Sequence, residues 1–318
     1  AQNDDLATTE NASLSGTVLT DNGNGVDADY DGDSIFVMLV NGAAGNVAAD
    51  VTGSMGGTFN IAANGSYTFE PGTAFDDLAA GETRTTTITY TISDGEGGTS
   101  TATVSVVVTG TNDAPASTAI ADKSGSDGDT VSVDVSGSFT DPDTTDTFTF
   151  TATGLPAGLT IDPDTGVISG SIDHSASQGG TGGVYSVTIT ATDPSGVTTE
   201  QTFEWTVTNV APIAQNDDLA TTENTGLSGS VLTDNGNGVD ADSDGDTFSV
   251  SQVNGAAGNV AADVTGSMGG TFNIAANGSY TFDPGTAFND LAAGETRTTT
   301  VTYTISDGEG GTSTATVS

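Results

Sequence analysis

Aspartates in this sequence recur at alternate positions inside short loops. Asp27, Asp29, Asp31 and Asp33 occupy Asp-Ala-Asp-Tyr-Asp-Gly-Asp at 27–33, and Asp240, Asp242, Asp244 and Asp246 repeat the pattern. Oxygen ligands at positions 1, 3 and 5 followed by a turning glycine are how protein loops hold calcium. A complete EF-hand loop needs Glu at its twelfth position, where this chain has Met38 and Ser251. The loop is therefore no EF-hand, and an ion held there needs further oxygens from elsewhere, such as Asp94 or the entry segment. Four carboxylates within seven residues repel one another unless a cation sits among them. With no cysteine in the chain and a single histidine outside these loops, the donors are hard oxygens, which favours calcium over zinc or copper.

The elements that must carry these loops are strands. Thr85, Thr87, Thr89 and Thr91 alternate with Thr86, Ile88, Tyr90 and Ile92, and Ala102, Val104, Val106 and Val108 alternate likewise. A period of two is the signature of a strand with one face in a core and one in water. Asp-Gly-Glu-Gly-Gly at 94–98 and Asn64-Gly65 read as hairpin turns, and 184–191 and 201–207 flank a third around Asp-Pro-Ser-Gly. No segment sustains a helical period. About seven short strands per hundred residues predict an all-β chain of antiparallel Ig-like or cadherin-like sandwiches. Trp205 alternates with the solvent face and is expected in a core.

Residues 214–318 repeat residues 1–105 without a gap, with twelve substitutions. The chain reads as repeat A1 (1–112), a different domain B (113–211) and repeat A2 (212–318), three tandem sandwiches in an extended rod. A2 stops at Ser318, the equivalent of Ser105, and is expected to be C-terminally truncated, with export and anchoring signals outside this stretch. No apolar run approaches the ~18 residues that span a bilayer.

In a sandwich the B–C and F–G loops share the end where the first strand enters. That end gathers Asp4, Asp5, Asp27, Asp29, Asp31, Asp33, Asp94 and Glu96 in A1, and Asp217, Asp218, Asp240, Asp242, Asp244, Asp246, Asp307 and Glu309 in A2. B brings Asp141, Asp143, Asp146 and Asp193 to its own entry end, beside Asn112 and Asp113 of the A1–B linker. The predicted metal ligands are these residues without Glu96, Asp146 and Glu309, and with Glu10 added.

The formal charge is −40, with 43 acidic residues against three basic ones. Nucleic acid is excluded, because its binding depends on basic residues neutralising phosphates, and anionic membrane surfaces are disfavoured. With no cysteine and one lysine, disulfides and an isopeptide tie within either A copy are also excluded. An enzyme is not expected. The only histidine, His174, sits in a Ser/Gly-rich loop and reads as solvated; no nucleophile elbow and no phosphate-cradling Gly-rich loop is present. The paired carboxylates suit metal ligation better than acid–base work.

Asn-Asp-Asp (3–5), the 27–33 loop, Tyr-Thr-Ile-Ser-Asp-Gly-Glu-Gly-Gly (90–98) and Thr-Gly-Thr-Asn-Asp-Ala-Pro (109–115) resemble the VCBS or cadherin-like repeats of giant bacterial RTX-type adhesins. Phe-Thr-Asp-Pro-Asp (139–143), the long motif at 154–170 and Ala-Thr-Asp-Pro-Ser-Gly (191–196) resemble dystroglycan-type cadherin-like, "putative Ig" modules. The second linker, Asn-Val-Ala-Pro at 209–212, lacks the Asp found at 113, which argues against an equally strong site at the B–A2 junction. The resemblance implies a secreted, monomeric spacer on the surface of a Gram-negative bacterium, exported by type I secretion, stiffened by external Ca2+ and serving adhesion or biofilm formation. Its partners would be neighbouring repeats of the same chain. The alternative is a module binding carbohydrate, another cell surface or its own kind.

Overall fold

A computed structural model describes residues Ala1–Ser318 and contains three β-sandwiches. The first is built from β1 (Asp4–Thr9), β2 (Leu14–Thr17), β3 (Phe36–Val40), β4 (Asp50–Thr52), β5 (Thr58–Ile61), β6 (Ser66–Glu70), β7 (Thr83–Ser93) and β8 (Thr99–Thr109). Its two sheets run β1-β8-β7-β3 and β2-β6-β5-β4. The ladders are antiparallel with one exception, the entry strand β1, which runs parallel to β8 from Asp4↔Val104 to Thr9↔Thr109. A parallel partner is available to β1 because the whole sandwich lies between it and β8 in sequence.

The alternation in β7 and β8 does what its period dictates. Ile88, Tyr90, Val104, Val106 and Val108 are buried, while Thr85 and Thr101 are exposed. Thr91 departs from the expected solvent face. It is buried, with Leu39 and Thr101 opposite it in the ladder and its hydroxyl 2.9 Å from that of Thr101. Directly opposite each other on β5 and β6, Phe59 and Phe69 pack with tilted rings, centroids 4.6 Å apart; burying each ring contributes about 1.5–3 kcal/mol. The Asn64–Gly65 turn needs glycine twice over. Gly65 has φ +83°, and a Cβ there would lie 2.4 Å from Leu19 Cγ.

The middle sandwich comprises β9 (Ala116–Ser117), β10 (Lys123–Ser126), β11 (Thr130–Asp134), β12 (Phe139–Thr140), β13 (Thr149–Thr153), β14 (Leu159–Ile161), β15 (Val167–Ser171), β16 (Val184–Thr192) and β17 (Thr198–Thr208). Its sheets are β10-β17-β16-β13 and β11-β15-β14, with β12 and β9 paired separately. Strand β10 again runs parallel to the last strand of its sandwich, Lys123 facing Trp205. Trp205 is 1 % exposed, as its place in an alternating strand predicts.

The third sandwich has β18 (Leu227–Ser230), β19 (Ser249–Val253), β20 (Asp263–Thr265), β21 (Thr271–Ile274), β22 (Ser279–Asp283), β23 (Val301–Ser306) and β24 (Thr312–Val317), in sheets β18-β22-β21-β20 and β19-β23-β24. The chain divides into two compact units. One is Ala1–Thr118 with Gly137–Phe150 and Thr190–Glu200; the other is Ala119–Ser136 with Thr151–Ile189 and Gln201–Ser318.

Candidate cation sites

In the first unit, Glu10, Asn112, Asp113, Asp141, Asp143 and Asp193 come together. Glu10 follows β1 directly, and its backbone N–H is tied to Thr109 O. It is 2 % exposed; Oε1 accepts the Thr111 N–H and hydroxyl, each at 2.7 Å. The linker crosses to the middle sandwich by two bonds, Asn112 Nδ2 to Asp193 Oδ2 at 2.9 Å and Asp113 N–H to Asp143 Oδ2 at 3.0 Å. Asp143 is 1 % exposed and Asp193 4 %. Asp141, Asp146 and Asp193 bring oxygens within 4.8 Å of one another.

The electrostatics match this crowding. Burial raises the Asp113 carboxyl, and the charges of Glu10, Asp143, Asp76 and Asp141 raise it further. Burial likewise raises Asp141 and Asp146; the Asp143 charge adds to both, while its backbone N–H pulls the Asp141 carboxyl the other way. At Asp193 burial acts upward, but the Asn112 amide and backbone N–H groups outweigh it and leave the carboxyl low. No Lys or Arg bonds to any of these ligands; Arg84 is spent on Asp77, at 2.8 and 2.6 Å.

The second unit repeats the plan with a different cast. Asp242, Asp244 and Asp246 are half-buried, and Asn209 Nδ2 donates to Asp307 Oδ2 at 2.8 Å, as Asn112 does to Asp193. Asp127 follows β10 as Glu10 follows β1, with its N–H tied to Thr208 O as that of Glu10 is to Thr109 O. Burial, then the neighbouring Asp244, pushes Asp242 up to about 6. Burial also raises Glu309, with Asp246, Asp127 and Asp307 adding to it. Asp127 and Asn209 are absent from the expected ligand set, as are Asp146 and Glu309. His174 is exposed but not merely solvated, since its Nδ1 lies 2.7 Å from Asp246 Oδ1. That contact raises the imidazole pKa above its ordinary value.

Other expected ligands go elsewhere. Asp27 is 6 % exposed and both its oxygens are taken: Oδ1 by the Gln2 N–H, Oδ2 by the Tyr90 hydroxyl at 2.8 Å. The same hydroxyl contacts Gln2 O and Val18 O, at 2.9 and 3.2 Å. Asp240, Gln215 and Tyr303 reproduce this arrangement. These two aspartates lock the root of the loop rather than facing its carboxylate cluster. Asp4 and Asp217 lie beside them, each 1 % exposed and each bonded through one oxygen to Asn22 or Asn235. Burial raises Asp4, and raises Asp217 to about 6. Asp5 and Asp218 accept Asn24 and Asn237. Asp94 caps its own turn through the Glu96 and Gly98 N–H groups. Asp29, Asp31 and Asp33 do meet, within 4.8 Å, but at an exposed surface.

The donor set can be tested against a bound cation by counting the clusters' buried oxygens that no hydrogen bond reaches; Asp4 Oδ2 and Asp217 Oδ2, beside the loop roots, are two further such oxygens outside the clusters. In the first unit these are Glu10 Oε2, Asn112 Oδ1, Asp141 Oδ2 and Asp143 Oδ1. In the second they are Asp127 Oδ2, Asn209 Oδ1, the Oδ2 atoms of Asp242, Asp244 and Asp246, and Glu309 Oε2. A buried carboxylate oxygen without a donor costs several kcal/mol unless a positive charge meets it. All ten atoms are hard oxygens, the ligand chemistry of calcium. The second linker lacks a counterpart of Asp113; the buried oxygens around it come instead from Asn209, from Asp127 in the place of Glu10, and from Asp242, Asp244, Asp246 and Glu309.

The family model described as "Bacterial cadherin-like domain" matches residues 1–110 and 209–318, and the model described as "Putative Ig domain" matches 114–208. Among solved structures, human CDH23 EC21-23 is 15 % identical, with 99 % of this chain and 98 % of that one covered and a TM-score of 0.48. Mouse cadherin-23 EC22-24 is 16 % identical, covering 99 % and 94 %, with a TM-score of 0.41. Human mucin-like protocadherin EC1-2 is 13 % identical, covering 66 % and 98 %, with a TM-score of 0.45. No curated protein matches the chain. No helix is long and apolar enough to cross a membrane. Since the first family model spans both repeated sandwiches and most of the sequence, the chain belongs to the bacterial cadherin-like domain family, with an Ig-type module between its two cadherin-like copies.

Proposed function

We propose that the chain is a calcium-stabilised extender of a secreted, RTX-type bacterial adhesin, displayed at the surface of a Gram-negative cell. Its modules are 1–112, 113–211 and 212–318, and Ca2+ binds where one module hands over to the next. The observation that carries this reading is the pair of clusters of buried, donor-less oxygens around Asn112 and Asn209. Calcium would supply the positive charge these oxygens otherwise lack. In the first cluster Glu10, Asn112, Asp141, Asp143 and Asp193 would hold it; in the second, Asp127, Asn209, Asp242, Asp244, Asp246, Asp307 and Glu309.

Each set draws ligands from the sandwiches on both sides of a linker, so filling it stiffens the linker while stabilising both neighbours. Extracellular calcium modules bind with Kd of about 10⁻⁴–10⁻³ M. At roughly 10 mM calcium each filled site adds about 1.4–2.7 kcal/mol to the folded state by mass action. Several sites together approach a substantial part of the ~5–15 kcal/mol of a whole domain. Without calcium the carboxylates repel and the junctions loosen. Thermal unfolding in calcium and in EDTA tests the reading: calcium raises the melting temperature of the sandwiches that share a site, and superimposed melts would refute it.

A further inference from the structure

The chain's single imidazole lies against the acidic cluster of the second unit. His174 follows β15 in a loop that runs on to Gln178, and three contacts set this loop against the cluster. The Ser177 N–H donates to Asp127 Oδ1 at 2.9 Å, and Gln178 Nε2 donates to Glu309 O at 3.1 Å. His174 Nδ1 lies 2.7 Å from Asp246 Oδ1. The first cluster has no counterpart, because the chain holds no other histidine.

The groups around the ring call for more positive charge than one proton supplies. The Asp246 side chain is 6 % exposed, and its second oxygen, Oδ2, meets no donor. Asp127, 3 % exposed, leaves Oδ2 unmet in the same way, and Glu309 leaves Oε2. The charges of Asp246, Asp127 and His174 all bear on Glu309, so these side chains share one region. A proton between His174 and Asp246 answers Oδ1 and leaves the other three oxygens bare, a costly arrangement for buried carboxylates. The spacing suits an ion. Two neighbouring ligands, each about 2.0–2.1 Å from one metal and at right angles, lie roughly 2.9 Å apart, close to the 2.7 Å between Nδ1 and Oδ1. His174 itself is 58 % exposed, which leaves a way in.

We propose that the second cluster is a mixed nitrogen–oxygen metal site, which binds a transition-metal ion of the zinc class through His174 Nδ1, Asp246 and Glu309. The inference rests on the proposed function only in taking this cluster to hold a cation. Calcium is served by oxygens alone, whereas imidazole nitrogen suits zinc, copper and nickel. Asp246 and Glu309 belong to both ligand sets, so the transition ion competes with calcium in the second cluster. The first cluster, without a nitrogen donor, keeps its preference for calcium. Two clusters of the same plan thus differ in the metal they select.

The probe is Zn2+ alone, titrated into the metal-stripped 318-residue protein and into His174→Asn. Calorimetry gives the uptake, and 15N resonances of the only imidazole report on the ring. One equivalent of zinc is expected to shift Nδ1 strongly and leave the proton on Nε2. The tightest zinc uptake should weaken at least about tenfold in His174→Asn, while calcium uptake by the two proteins stays within about twofold. The exposed position of His174 lets the substitution leave the fold intact, and the parent's ring resonances test the site without any substitution. The inference is overturned if zinc leaves the ring nitrogens unmoved, if Nε2 responds while Nδ1 keeps its proton, or if His174→Asn takes up zinc as the parent does. Absence of calcium uptake by the parent would instead defeat the proposed function, so the two failures are told apart.

Discussion

At the scale of single residues, the buried carboxylates carry two different duties. Asp27 and Asp240 are fully hydrogen-bonded anchors, whereas Asp143, Asp141, Asp242 and Asp244 each keep a buried oxygen that no donor reaches. The duties predict opposite mutational signs. Asp244→Asn removes a repelled charge, so in EDTA it should leave the melting temperature unchanged or raise it; in 10 mM calcium it should lower it, by about 1–3 kcal/mol of lost binding. Tyr303→Phe strips the hydroxyl shared by Gln215 O, Val231 O and Asp240, and should cost about 1–3 kcal/mol in either condition. Denaturant unfolding of both variants with and without calcium checks the contrast. Protonation follows the same logic. Asp217 and Asp242 are raised from 3.8 to about 6 by burial. The folded state therefore holds these protons more tightly than the unfolded chain does. The stability they contribute is full below 3.8 and lost as pH rises toward about 6. Metal-free protein should thus melt higher at pH 5 than at pH 7. The increment from calcium should shrink at pH 5, because the ligands must give up protons to bind.

At the scale of elements, the strands were legible and the ligand geometry only in part. Two-residue alternation and Asx-Gly turns are local, and they place β5 to β8 correctly from residues alone. Thr91 escaped because its burial depends on Leu39 and Thr101, which sequence does not place beside it. The acidic loops announced themselves by spacing. Which carboxylate faces the cluster did not follow, since Asp27 and Asp31 alternate identically while only the fold sets Tyr90 against the former. Asp127 had a readable signal in retrospect: it follows β10 as Glu10 follows β1, each strand being the parallel partner of the last strand in its sandwich. Six of the twelve substitutions between the repeats fall within Tyr30–Leu39. In the second copy this stretch carries half-buried Asp242, Asp244 and Asp246; in the first Tyr30 is fully exposed and Asp31 and Asp33 are open to solvent. The loop turns rest on glycine, and Gly65→Ala should destabilise the first sandwich by more than about 1 kcal/mol through its φ of +83° and the contact with Leu19. A lower denaturation midpoint at unchanged slope would show it.

At the scale of the whole molecule, a charge of −40 with almost no basic residues makes metal-free modules repel one another. On the proposed function, calcium held at the junction clusters would turn that repulsion into a link between modules. Trp205, the chain's single tryptophan, is buried in the middle sandwich, which borders both linkers, so its fluorescence reports stabilisation arriving from either side. The most direct measurement is isothermal titration of calcium into metal-stripped protein, beside a variant carrying Asp143→Asn and Asp244→Asn. The account predicts saturable uptake at millimolar or tighter affinity, with the heat of the two junction sites missing from the variant. Titrations with no heat above dilution, or with equal uptake by parent and variant, would contradict it.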